Sequence, residues 1–139
     1  MGSYSFDTKI AIVLREDLEP WQRVNASAFL VGGIAHRFPS LIGEPYEDAD
    51  GTTYLATLGR PVFVFEADKD TLREVRSRAV RREMAVSVFT SDLFSTGNDD
   101  DNRAAVRAVA GADLDLVGLA VHGPSNAVDR VVKGAHRHP

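Results

Sequence analysis

KIAIVLREDLEPWQRVNASAFLVGGIAHRF, from Lys9 to Phe38, sets two kinds of apolar segment back to back. Ile10 to Leu14 is a short continuous apolar run that stops at Arg15-Glu16-Asp17. A run of that length, bounded by charge, reads as a strand over about residues 8–14 covered on both faces. Pro20 sits where a first helical turn accepts proline, and the residues after it hold no breaker except Gly32-Gly33. The pattern predicts a helix over about 20–37. Trp21, Val24, Ala28, Phe29, Val31, Ile34 and Ala35 leave that helix apolar nearly all round. Such a helix needs cover on two sides: a sheet on one, and a further element or a second subunit on the other.

Outward from this unit, strands and helices alternate. Residues 39–60 are rich in loop formers, with an acidic run at Glu47-Asp48-Ala49-Asp50 and a short edge strand predicted at about 52–57. VFVFEA (62–67) reads as a buried strand, and 69–82 as a helix with Leu72, Val75, Ala79 and Val80 inward. The outer face of that helix carries Arg73, Arg76, Arg78, Arg81 and Arg82, which reads as a solvated face or as a contact for RNA phosphates. A strand at about 84–90, a helix at about 102–110, a strand at about 114–121 and a helix at about 125–133 complete the series. The run Asp99-Asp100-Asp101 suits the positive end of the helix it precedes and lacks the ligand order of a calcium loop. The expected fold is a three-layer α/β/α domain with a mixed sheet of four or five strands. It spans residues 8–134, with flexible termini at 1–7 and 135–139.

A chain of 139 residues builds one domain. Its 44% hydrophobic and 26% charged residues are ordinary for a globular protein, and the net charge of −4 gives no general pull toward nucleic acid or acidic membranes. The absence of cysteine removes thiolate chemistry and disulfides. No secretory leader or membrane span is evident, so the expected compartment is the cytoplasm. No metal or cofactor is expected.

Polar residues gather where the predicted strands end, the edge at which open α/β sheets bind ligands. Asp17 follows the first strand, Thr90, Ser91 and Asp92 follow the third, and His122 follows the last. Ser91, Asp92 and His122 are therefore the candidate catalytic set, with His122 as general base. His122 packed at a strand end is the alternative. Asp17, Arg23, Asn25 and Thr90 are the candidate ligand-binding residues. Asn25, one turn into an apolar helix, needs a partner in the backbone or in a ligand.

KIAIVLREDL leading into an alanine-rich helix resembles the opening of the type II peptidyl-tRNA hydrolases, and LVGLAVHGPSNAVDRVVKG is similar to their closing strand and helix. Arg15, Asp17, Leu18, Gly118, Gly123, Pro124 and Asp129 carry the resemblance. It implies their α/β fold. The Gly-Lys-Gly-Lys segment of that family is replaced by Trp21-Gln22-Arg23-Val24, and an arginine cannot shuttle protons near neutral pH. The family's Asp-Ala-Gly-x-Thr loop is also missing. The chain thus resembles an uncharacterised bacterial sister family within that superfamily. The functional expectation is a small or nucleotide-linked ligand bound at the strand-carboxyl edge, with hydrolase or transferase chemistry. A non-catalytic binding or interaction module is the alternative, and peptidyl-tRNA hydrolysis itself is disfavoured. A homodimer is expected from the apolar first helix.

Overall fold

The computed structural model describes residues 7–137. Five strands, β1 (Thr8–Arg15), β4 (Val62–Ala67), β5 (Ala85–Thr90), β6 (Leu116–Pro124) and β7 (His136–Arg137), form one sheet in the order β5-β6-β1-β4-β7. α1 (Pro20–Arg37) covers one face; α2 (Lys69–Arg81) and α4 (Ser125–Val131) cover the other. The three-layer α/β/α fold with a mixed five-stranded sheet follows from this arrangement.

β1 alternates its side chains between two cores. Ile10, Ile12 and Leu14 pack with Leu30 and Ile34 of α1, while Ala11 and Val13 pack with Leu72 and Val75 of α2 and Val128 of α4. Burial on both faces is why the strand reads as an unbroken apolar run. β4 lies parallel to β1, with Arg15 opposite Ala67. β6 runs antiparallel between β1 and β5, so that His122 lies opposite both Ile10 and Ala85.

Several expected elements are placed differently. The strand expected at 52–57 does not join the sheet. Instead β2 (Tyr46–Glu47) and β3 (Thr53–Tyr54) pair as a separate hairpin. Asp48 organises it, accepting hydrogen bonds from the amides of Asp50 (2.9 Å) and Thr52 (3.0 Å) and from the Tyr54 hydroxyl (2.8 Å). The sheet edge is taken by β7, from the segment expected to be frayed, which pairs Arg137 with Phe65 and His136 with Glu66. Residues 1–6 and 138–139 of the expected termini lie outside the described residues. α3 (Asp99–Arg107) begins earlier than the expected 102, because the Asn98 side chain caps the Asp101 amide and takes the three aspartates into the first turn. Val80, expected to be buried, is exposed near the end of α2.

α1 lies close over β6 because Gly118 has no side chain. A Cβ there would stand 3.0 Å from Leu14 Cδ2 and 3.2 Å from Leu30 Cδ1. Gly118→Val overfills this contact, with an expected loss of about 2 kcal/mol. Urea titration checks it: the midpoint falls while the m-value stays constant.

Candidate functional site

β1, β4 and β5 end at the same edge of the sheet, and β6 begins there. Arg15 at the end of β1 reaches both neighbours: Nε donates to Asp17 (2.7 Å), and Nη1 to Asp115 (3.1 Å). Asp115 also receives the Ser91 hydroxyl at 2.6 Å and stands 3.6 Å from Lys69 Nζ. A shallow cleft of about 420 Å³ is lined by Arg15, Glu16, Asp17, Asp68, Lys69 and Asp115. The Ser91 hydrogen bond, with the charges of Arg15 and Lys69 behind it, holds the Asp115 carboxyl below its ordinary range. A carboxylate so stabilised is a poor proton acceptor. Ser91 therefore has a hydrogen-bond partner and no strong base.

Thr90 is buried, and its hydroxyl finds no partner among the described residues. Asp92 is exposed on the 3₁₀ turn Ser91–Phe94. Arg23 ties the loop after β1 to the next strand: Nη1 meets Glu66 at 2.6 Å, Nη2 donates to the Glu16 carbonyl (2.9 Å) and Nε to the Leu18 carbonyl (3.2 Å). These bonds occupy the guanidinium in holding the backbone. Asn25 is half-buried on α1 and does not line the Arg15–Asp115 cleft.

The antiparallel course of β6 corrects the expected grouping. It places Asp115 beside Ser91 and carries His122 to the opposite edge, next to the first residues of β1 and β5. Ser91, Asp92 and His122 do not meet. Asp115 went unrecognised because it sits in the apolar run LDLVGLAV and reads as strand; the visible signal was a lone carboxylate between two leucines.

At its own edge His122 is 9% exposed, with its ring 4.3 Å from that of Phe38. Neither ring nitrogen has a hydrogen-bond partner among the described residues. Burial, with the charge of Arg60 second, pushes the imidazole below its ordinary value, so it is neutral at pH 7. It lines a cleft of about 930 Å³ with Phe38, Val80, Met84, Val86 and Ala127 as apolar walls. Arg37 and Arg82 also line this cleft, and neither pairs with a carboxylate among the described residues. Glu83 on its lip holds φ at 54°, in the left-handed region usually left to glycine. It closes α2: its amide donates to the Val80 carbonyl (3.0 Å) and the next amide, of Met84, to that of Ala79 (2.9 Å).

Among the described residues no group of three or more His, Asp or Glu is placed to hold a metal, and no helix is long and apolar enough to cross a membrane.

A chain with this three-layer sheet and these two clefts belongs to an α/β family of proteins of unknown function. The family is DUF2000, described as "Protein of unknown function", whose pattern matches residues 8–139. A solved structure of a protein of unknown function from Agrobacterium tumefaciens strain C58, Atu0240, is similar at 36% identity and a TM-score of 0.95. That similarity covers 97% of this chain and 100% of the other. No curated protein matches the chain.

Two outcomes follow from these geometries. Arg23→Ala takes from the half-buried Glu66 its nearest cation and should cost about 3 kcal/mol, read by urea unfolding. His122 makes stability depend on pH. The unfolded chain binds a proton at the ordinary value of 6.5 and the folded chain only at a lower one, so stability is full above 6.5 and falls as pH drops below it. His122→Phe removes this slope, which unfolding at pH 5.5 and pH 7.5 measures.

Proposed function

We propose that this protein is a small-molecule-binding module and that its ligand occupies the His122 cleft, at the edge opposite the one the sequence pattern suggests. The observation that carries this reading is the pair of buried, unpartnered nitrogens of His122. A buried polar group without a partner costs on the order of 1–3 kcal/mol, and a ligand offering one donor and one acceptor removes that cost. Apolar walls with a few convergent polar groups are the ordinary make-up of a ligand site. Arg37 and Arg82, which have no carboxylate partner among the described residues, favour a ligand with an anionic group on an apolar body. Hydrolysis is disfavoured because Ser91 has only the stabilised Asp115 carboxylate beside it, with the imidazole at the far edge.

Titration of ¹⁵N-labelled protein with aryl and short-chain aliphatic carboxylates tests the reading. The expected result is saturable shifts at Met84–Val86 and His122–Pro124, weakened roughly tenfold or more in His122→Phe. Shifts confined to Arg15, Lys69 and Asp115 would return the ligand to the strand-carboxyl edge. Cleavage of an N-blocked aminoacyl-tRNA is expected to be absent; turnover lost on Ser91→Ala would overturn the non-catalytic reading and restore the hydrolase of the resembled superfamily.

A homodimer is proposed from a separate observation. On the outer surface of α1, Val24 (73%) is exposed, as are Trp21 (60%) and Phe29 (59%), whose rings rest edge-on against Phe94 and Phe89. Nothing lies within 4 Å of the Cβ position of Gly32 on the same helix, so a second helix has room to approach there. Exposed apolar area gathered on one helix marks an interaction surface. Light scattering should give twice the chain mass, falling to the monomer in Phe29→Asp; a monomeric wild type would reject it.

A further inference from the structure

On the face of the molecule that carries α2, the helix and the 3₁₀ turn Gly111–Asp113 flank a cleft of about 460 Å³ lined by Arg73, Glu74, Arg76, Arg78, Arg81 and Gly111. We propose that this cleft is an anion site that takes a phosphate group.

Four arginines on one short helix repel one another, and i,i+3 pairs of like charge weaken a helix. One of the four is neutralised. Arg78 reaches Glu74 at 3.1 Å and donates to the carbonyls of Val131 (3.2 Å) and Lys133 (2.6 Å). Arg73, Arg76 and Arg81 pair with no carboxylate among the described residues. The Nε of Arg73 is sealed from water and has no hydrogen-bond partner there. An unmet buried donor carries a cost, which an anion in the cleft relieves if the side chain turns toward it.

Arg76 supplies the second observation. Its guanidinium lies on Gly111 so closely that a Cβ at that position would fall 2.0 Å from Nη2 and 2.7 Å from Cζ. The missing side chain of Gly111 is therefore the bed on which Arg76 rests. A guanidinium packed against backbone has fewer positions to lose on binding, and its planar fork matches the oxygens of a phosphate. The charge is supplied by α2, and the position of one fork by a glycine on a different segment.

This arrangement gives a test that separates a built site from a diffuse basic face. Gly111→Ala displaces the Arg76 guanidinium and leaves every charge in place. Thermal melts at fixed ionic strength compare sodium phosphate, adenosine monophosphate and sodium chloride. A saturable rise in melting midpoint with phosphate, weakened roughly tenfold or more in apparent affinity by Gly111→Ala, is the expected result. Stabilisation by phosphate alone assigns a free-ion site, and stabilisation by the nucleotide as well assigns a phosphomonoester site. Arg76→Gln reads the same contact if the alanine variant melts early in chloride. An equal response of wild type and both variants, or no response in wild type, overturns the proposal. So does binding of single-stranded RNA that falls steeply with salt and ignores Gly111→Ala, since that marks a non-specific polyanion face.

Discussion

The antiparallel pairing of β1 with β6 governs the molecule. It sets Ile10 against His122 and Leu14 against Gly118, and β6 in turn is the neighbour that joins β5 to the sheet. Because β6 is reversed relative to β1, β4 and β5, the residue just before it and its last polar residue serve opposite edges. Asp115 is delivered to one, His122 to the other. A parallel β6 would have exchanged them and brought an imidazole to Ser91.

The two edges differ in how their polar groups are satisfied. At the strand-carboxyl edge, Arg15, Asp17, Ser91, Lys69 and Asp115 answer one another, and Arg23 with Glu66 closes the loop above them. Such a network holds strand ends in register and leaves little unmet demand for a ligand. At the other edge the demand is unmet: a neutral histidine whose ring nitrogens find no partner among the described residues, beside an aromatic ring and apolar walls. Internal satisfaction on one side and its lack on the other are the reason the proposed ligand is placed at the His122 edge.

Much of the fold was legible because its signals are local. The apolar run at 10–14, Pro20 at the head of α1, and the inward residues Leu72, Val75 and Ala79 follow from spacing alone. Strand direction has no such signal, since an apolar run buried on both faces looks the same in either sense. That one unreadable property misplaced His122 and hid Asp115. β7 escaped for a different reason: two residues carry no periodicity, and only pairing with Phe65 and Glu66 makes them a strand. The resemblance to the type II peptidyl-tRNA hydrolases rested on seven residues, Arg15 and Gly118 among them, and both have structural work. Arg15 joins two strand ends, and Gly118 lets α1 approach.

The position of β6 in the chain has a consequence for biogenesis. β1 and β4 can associate once residue 67 has been synthesised, because they are direct neighbours. β5, complete at Thr90, has no place to dock until the segment Leu116–Pro124 emerges and slides between it and β1. The nascent chain therefore exposes the apolar edges of β1 and β5 through the synthesis of α3 and the turn after it, and the long-range pairing that closes the sheet comes late. Until residue 124 has been made, β1 and β5 both lack the strand that lies between them in the folded sheet.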